Sequence, residues 1–436
     1  MSEREDGSFV EPGRMQEILR RRLTRRSLLR GAGTGASALG LGAILAACGE
    51  NGGAGGGGEN TSSMNPSAVF GGEPKDTVEF ANWPLYLDQA KDNNGDVYHP
   101  SLRVFEKETG ISVDYQDVIQ DNAEFFGKLR PQLEAGDATG WDIIVITNGT
   151  EFTALTQNNW VYPLDPSMRP NFDANAQDWA KDPSYDPNNE HSMAWQSGIT
   201  GIGVNKDLVK APVTKMDDLA NPDIVGADSV GMLKSDMPDF VMINLGIDPK
   251  TSGPDEWREA AGWLQKQRDS GTVRQYYTQG YIDDLTGGNL TATMAWSGDV
   301  LYNALWAGYN NLEFVFPDDG ALLWIDNMLV PVGAENPAGA MQVMDFFYRP
   351  EIATMVTEWV LYMSPVKGVK ELILKDAKKA EDQNYKGYAT KLFGTADSPY
   401  LFPDETFLSK TSFGRQLKTD EEIQEWNSIF LPISQG

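Results

Sequence analysis

The run Trp141-Asp142-Ile143-Ile144-Val145-Ile146-Thr147 constrains this chain more than any other stretch of it. A continuous Ile/Val run bounded by turn residues is a strand with apolar side chains on both faces, and such strands belong to parallel sheets covered by helices on either side. The neighbouring segments supply the alternation that such a sheet requires. Residues 77–83 and 111–118 read as strands, and 99–109, closed by Gly110, as a helix. Residues 122–135 read as a second helix, which Pro131 is expected to kink or to confine to one end. The pattern restarts with strands at 202–204, 229–233, 292–296, 312–316 and 322–330 and helices at 254–269 and 336–349, the last with Pro337 in its first turn. The fold class is therefore α/β. At 436 residues the chain exceeds what one hydrophobic core usually serves, so two compact lobes are expected.

The first 47 residues have a different character. Arg20, Arg21, Arg22, Arg25, Arg26 and Arg30 precede a glycine- and alanine-rich apolar run from 31 to 47. That run is shorter than the roughly 20 apolar residues a membrane span needs, but it suits the core of a signal peptide. Thr24-Arg25-Arg26-Ser27-Leu28-Leu29-Arg30 resembles a twin-arginine export signal, and Leu45-Ala46-Ala47-Cys48 resembles a bacterial lipobox. On that resemblance Cys48 becomes the lipid-modified N-terminus, anchored on the outer face of the cell membrane. Cys48 is also the only cysteine, so export rests on the signal and not on disulfides. Residues 48–75, with Gly-Gly-Ala-Gly-Gly-Gly-Gly, read as a flexible tether.

Without residues 1–47, which hold 8 Lys/Arg and 5 Asp/Glu, the chain keeps 28 basic and 58 acidic residues and a net charge of −30. Such a field repels nucleic acid and attracts cations, although solubility alone accounts for it equally well. The sequence has no Walker A, GxGxxG turn, GxSxG, HExxH or metal-type Cys/His cluster, so no cofactor or metal is expected and the chain does not read as an enzyme. His99 and His191 belong to no motif and read as surface or capping residues.

Open α/β sheets bind ligands beyond the carboxyl ends of their strands. Trp and Asp recur together there, in Asn82-Trp83-Pro84-Leu85-Tyr86, Ser235-Asp236-Met237-Pro238-Asp239, Ala295-Trp296-Ser297-Gly298-Asp299 and Leu323-Trp324-Ile325-Asp326. An alkylammonium ion leaving water needs a carboxylate for each charge and flat apolar walls for its methylenes. A cation over a Trp or Tyr face gains roughly 0.5–2 kcal/mol, while an unpaired buried ammonium costs several. Taken singly, each Trp would read as core and each Asp as a cap or turn; the recurrence in both halves favours a site.

The ordered set Val78-Glu79-Phe80-Ala81-Asn82-Trp83-Pro84-Leu85-Tyr86, Phe105-Glu106-Lys107-Glu108-Thr109-Gly110-Ile111, Trp141-Asp142-Ile143-Ile144-Val145, Gly201-Ile202-Gly203-Val204-Asn205, Met294-Ala295-Trp296-Ser297-Gly298 and Trp324-Ile325-Asp326-Asn327 resembles the spermidine/putrescine-binding proteins of bacterial ABC importers over about residues 76–370. The resemblance implies a two-lobed periplasmic-binding-protein-like fold of type II, with crossing strands and a ligand cleft between the lobes. Lobe 1 would comprise 76–196 plus 325–364, and lobe 2 would comprise 197–324 plus 365–436. It further implies aromatic walls at Trp83, Tyr86, Trp296 and Trp324, a terminal amine held by Asp236 and Asp239, and a further amine held by Asp326. Thr147 and Thr278 would bond to the ligand and Tyr362 would complete the site. Partners would be a polyamine, the membrane through the lipid anchor, and an ABC permease with its ATPase; nucleic acid is not expected and the protein would be a monomer. Asp239 stands where the family has glutamate, Thr147 where it has serine, and Gly149 where it has an aromatic residue, a change that makes room for a bulkier guest. Two rival readings remain, a binding protein for a sugar or other polar solute, and an exported hydrolase using Asp236 and Asp239 as its carboxylate pair.

Overall fold

The computed structural model describes residues 65–92 and 94–435. The export signal with Arg25 and Arg26, the lipidation residue Cys48 and most of the tether lie outside the described residues. Twelve strands run along the described chain: β1 Thr77–Asn82, β2 Ala90–Lys91, β3 Val97–Tyr98, β4 Ser112–Asp117, β5 Ile143–Thr147, β6 Ser192–Asn205, β7 Val230–Leu233, β8 Val273–Tyr277, β9 Ala292–Trp296, β10 Leu312–Val315, β11 Ala321–Leu329 and β12 Thr411–Phe413. Apart from the β2–β3 pair they form one sheet in the order β4-β1-β5-β11-β6-β9-β7-β8, with β10 added to β6 and β12 to β11.

The Ile/Val strand β5 lies where its composition demands, parallel to β1 and antiparallel to β11, with its first four residues buried. At the other end β7 runs parallel to both β8 and β9. The two parallel regions are joined by β6 and β11. Strand β6 has 14 residues, all buried, and at about 3.3 Å per residue it spans roughly 45 Å. It leaves one hydrophobic core and enters another. Met193 and Trp195 belong to the first core, and Ile199, Ile202 and Val204 to the second. Strand β11 makes the same passage in reverse, from Leu322 in the second core to Met328 and Leu329 in the first. After the helix Pro350–Val360 the chain touches β6 where it passes between the cores, Ser197 and Met363 exchanging backbone hydrogen bonds at 3.0 and 2.8 Å, and then stays on the first core through Val366 and Val369. The fold is thus α/β and two-lobed, with crossing strands between the lobes.

Local chemistry explains most elements. Gly110 closes the helix Pro100–Thr109 with a left-handed backbone, and His99 occupies its N-cap position. The helix Pro254–Asp269 runs over the anticipated residues, and the helix Asn122–Ala135 continues through Pro131. One expectation fails. Residues 369–401, assigned from the sequence to lobe 2, pack on the first core through Val369, Ile373, Ala377, Leu392, Ala396 and Leu401. Their helices come after Pro350–Val360 without crossing to the second core, which the chain joins only later, through buried Leu417, Phe430 and Ile433 and the partly buried Phe407, Ile423, Trp426 and Ile429 packed against it.

Candidate ligand-binding cleft

Between the two cores lies a cavity of about 500 Å3. All ten sequence-derived candidates line it: Trp83, Tyr86, Thr147, Asp236, Asp239, Thr278, Trp296, Trp324, Asp326 and Tyr362. They arrive from strand ends and crossings. Thr147 ends β5 and Trp296 ends β9, Trp83 and Tyr86 come after β1, and Asp236 and Asp239 after β7. Trp324 and Asp326 sit on β11 as it passes between the cores, and Thr278 lies exposed beyond β8.

Asp326 is the most enclosed of the acids that line the cavity, at 5% exposure. The pairing of β11 with β6 shifts register between Asp326 and Asn327, an irregularity of the kind that re-aims side chains beside binding sites. Tyr86 Oη donates to Asp326 Oδ2 at 2.7 Å and Thr147 Oγ1 donates to Oδ1 at 2.6 Å. Thr147 is itself held by Asn122, whose Nδ2 donates to Thr147 Oγ1 at 2.8 Å. Both carboxylate oxygens therefore meet neutral hydroxyls. Burial pushes the Asp326 carboxyl up to about 6, against the pull of these two hydrogen bonds.

Asp236 occupies the N-cap position of the helix Met237–Asn244 but makes no capping bond. Its carboxylate instead accepts from Thr200 Oγ1, from Ser235 Oγ at 2.6 Å and from Trp296 Nε1 at 3.0 Å. That last bond ties an aromatic wall to a carboxylate. Asp239, in the first turn of the same helix, accepts from the Arg415 backbone N–H at 3.0 Å. Burial pushes it up to about 7, and neighbouring Asp236 adds to the rise. The Arg415 guanidinium points elsewhere, to Glu422 at 2.9 Å and the Lys250 carbonyl at 2.7 Å.

The aromatic walls touch one another. Tyr362 meets Trp324 and Tyr86, each with ring centroids 5.4 Å away, and Trp296 meets Tyr281 at 5.6 Å. Two glycines make this possible. A Cβ at Gly198, opposite Trp324 in the ladder, would stand 2.3 Å from its ring, and a Cβ at Gly298 would stand 2.6 Å from the ring of Tyr362.

Sequence reasoning overlooked several contributors. Asp299 accepts from Tyr281 Oη at 3.0 Å and from Tyr362 Oη at 3.1 Å, and Tyr281 Oη in turn accepts the Trp296 N–H at 2.8 Å. Asp299 stands three residues beyond Trp296, in a run the sequence had singled out. Glu151 also lines the cavity, its carboxyl pushed up to about 7 chiefly by burial. Six acids line the cleft, Asp121, Glu151, Asp236, Asp239, Asp299 and Asp326, against Lys234 and Arg415 as bases. Among the described residues no group of three or more His, Cys, Asp or Glu is arranged to hold a metal ion, and no helix is long and apolar enough to cross a membrane.

Two lobes, crossing strands and a walled interlobe cleft are the architecture of a solute-binding protein. Residues 102–387 match the family model for bacterial extracellular solute-binding proteins. The chain belongs to that family. This solute-binding protein is 30% identical over 332 residues to the putrescine-binding periplasmic protein PotF of Escherichia coli (strain K12), covering 70% of this chain and 81% of the relative. It is 32% identical over 280 residues to the putrescine-binding periplasmic protein SpuD of Pseudomonas aeruginosa (strain UCBPP-PA14), covering 60% of this chain and 73% of that one. Among solved structures, the spermidine/putrescine ABC transporter substrate-binding protein PotD of Streptococcus pneumoniae superposes with a TM-score of 0.64 at 20% identity, over 82% of this chain and 98% of the other. The TpPotD lipoprotein of Treponema pallidum gives 0.64 at 17% identity, over 82% and 99%. These two likenesses show the fold. The family is one of solute-binding proteins and not of enzymes.

Proposed function

We propose that this solute-binding protein captures a linear polyamine in the interlobe cleft and presents it to an ABC permease. The observation that carries the reading is Asp326, a carboxylate buried at the crossing strands whose two oxygens accept from the neutral hydroxyls of Tyr86 and Thr147. A buried carboxylate is favourable only with a cationic partner, and an ammonium nitrogen supplies one. Asp236 and Asp239 hold a terminal amine in lobe 2, and Trp83, Tyr86, Trp296, Trp324 and Tyr362 receive the methylenes, with Thr147 and Thr278 as polar contacts. The excess of acids over bases along the cleft and the names of the polyamine-binding relatives support the same class of ligand.

The lobes are proposed to part at the crossing strands, with 76–196 and 325–401 on one side and 197–324 and the C-terminal stretch on the other. Ligand contacts to both favour the closed arrangement. Cys48 is proposed to carry the lipid anchor, and the protein to act as a monomer.

Calorimetry with putrescine, spermidine and maltose tests the assignment. Saturable 1:1 binding of an amine with no heat from maltose is expected. Binding of maltose without binding of either amine would replace this reading with the sugar one.

A further inference from the structure

The cleft is longer than the site just described. Its wall continues past Asp239 along Arg415 and Leu417 to the C-terminal helix Asp420–Gln435, where Ile423, Trp426, Phe430 and Leu431 line the same cavity. Contacts tie this annex to the lobe 2 carboxylates. The Arg415 N–H donates to Asp239, the Arg415 guanidinium lies 5.9 Å from the Trp257 ring, and Trp257 meets Trp426 edge-on at 5.2 Å. Across the mouth, the Leu417 N–H donates to Thr150 Oγ1 at 3.3 Å, which places the start of the helix Thr150–Gln157 against the same opening. Gly149 precedes that helix, and a Cβ there would meet only the Thr147 carbonyl within 4 Å, at 3.9 Å. The annex is therefore open on the lobe 1 side. At its outer end Leu431 is 44% exposed, a large apolar side chain left in water.

An apolar wall beside two carboxylates makes two demands on one ligand. The nitrogen next to Asp236 and Asp239 must stay cationic, because a neutral group there would leave the buried Asp239 carboxylate without a counter-charge. The group beyond that nitrogen must be apolar. An acyl substituent fails the first demand, since an amide nitrogen is not protonated, and a bare terminal amine does not use the annex at all. An alkyl or arylalkyl substituent keeps the ammonium charge and meets both.

We infer that the preferred ligand is an N-substituted polyamine, whose alkyl or arylalkyl group lies in the annex between Gly149 and the C-terminal helix. The inference rests on the polyamine reading of the cleft. At this end the acids Asp121 and Glu151 face the cation Arg415 and the apolar Ile423, Trp426, Phe430 and Leu431, and the larger apolar share favours an apolar substituent over the extra amine of a longer chain.

Calorimetry with spermidine, spermine, and spermidine carrying a benzyl group on its terminal nitrogen tests it, in the parent protein and in Trp426→Ala and Leu431→Gln. The benzyl compound should bind about tenfold or more tightly than spermidine in the parent, from the apolar area of one ring. Both variants should shrink that advantage while leaving the Kd for spermidine within about twofold. Leu431 is exposed, so its variant remains informative even if Trp426→Ala folds poorly. If spermidine binds and the benzyl compound is excluded or gains nothing, or if spermine alone gains, this inference falls and the polyamine reading stands. If none of the amines binds, both fall together.

Discussion

Replacing Asp326 with asparagine should separate the stability of this protein from its function, in opposite directions. The folded state raises this carboxyl from 3.8 to about 6, a shift of roughly two units, and at about 1.36 kcal/mol per unit its ionised form costs the fold on the order of 3 kcal/mol. The folded pKa lies above the unfolded one, so this cost is absent below about pH 4 and complete above about pH 6. Asp326→Asn keeps the shape and can still bond to Tyr86 Oη and Thr147 Oγ1 once those hydroxyls rotate. The ligand-free variant should therefore be more stable than the parent by about 1–3 kcal/mol at pH 8, and equal to it near pH 4. Binding should move the other way. Removing the anionic partner of a buried ammonium costs about 3–5 kcal/mol, a loss of hundreds-fold or more in affinity. Urea melts without ligand at pH 8 and pH 4, with spermidine calorimetry at pH 8, read both effects. Unchanged binding would make Asp326 structural and remove the basis of the polyamine assignment. Lost binding together with lost stability at pH 8 would show that the substitution damages the fold instead.

Affinity for polyamines should fall as pH drops from 8 to 5, because Asp239, held at about 7, and Asp326, at about 6, must shed protons before they can pair with ammonium groups; calorimetry in buffers of different ionisation enthalpy should register proton release, and pH-independent binding would contradict this. Trp296→Ala should weaken binding by about tenfold or more, through the lost ring face and the lost Nε1 bond to Asp236, whereas Trp296→Phe should retain part of it; equal Kd values for both variants and the parent would remove Trp296 from the site. Cys48→Ala should leave the precursor uncleaved or release the protein from the membrane fraction, and unchanged attachment without fatty-acid incorporation would refute lipidation.

The parts of the candidate site legible in the sequence are those in which one short run carries both the geometry and the chemistry. Trp296 and the Trp324-Ile325-Asp326 segment can be found because a strand pattern, an aromatic ring and an acid fall within a few residues of each other. The runs do not reveal how they meet. Thr147 and Tyr86 lie 179 and 240 residues from Asp326, yet their hydroxyls set its environment. The full extent of β6 is hidden for a related reason. Gly198, Gly201 and Gly203 dilute its apolar signature, and Gly198 is glycine because the Trp324 ring takes the space of its side chain. The same close packing that builds the cleft wall hides the strand that carries it.

The placement of residues 369–401 escapes the sequence because neighbours along the chain say little about which core receives an amphipathic helix. Tyr86 and Tyr362 reach the cleft through a local device that the sequence pattern also hides. Each comes directly after a leucine with a left-handed backbone, Leu85 and Leu361, both at φ 59°. A branched apolar residue reaches that region at a cost of order 1–3 kcal/mol and persists there only when its surroundings hold it. Leu361 is fully buried, which supplies the hold, and the turn it makes ends the helix Pro350–Val360 and delivers Tyr362 against Trp324, Tyr86 and Asp299. No periodicity marks such a turn, since glycine or asparagine is the residue it ordinarily selects. Its strain is explained instead by the tyrosine it positions. A side chain that must reach both the first core and the Asp299 hydroxyl relay of lobe 2 cannot arrive on a regular helix.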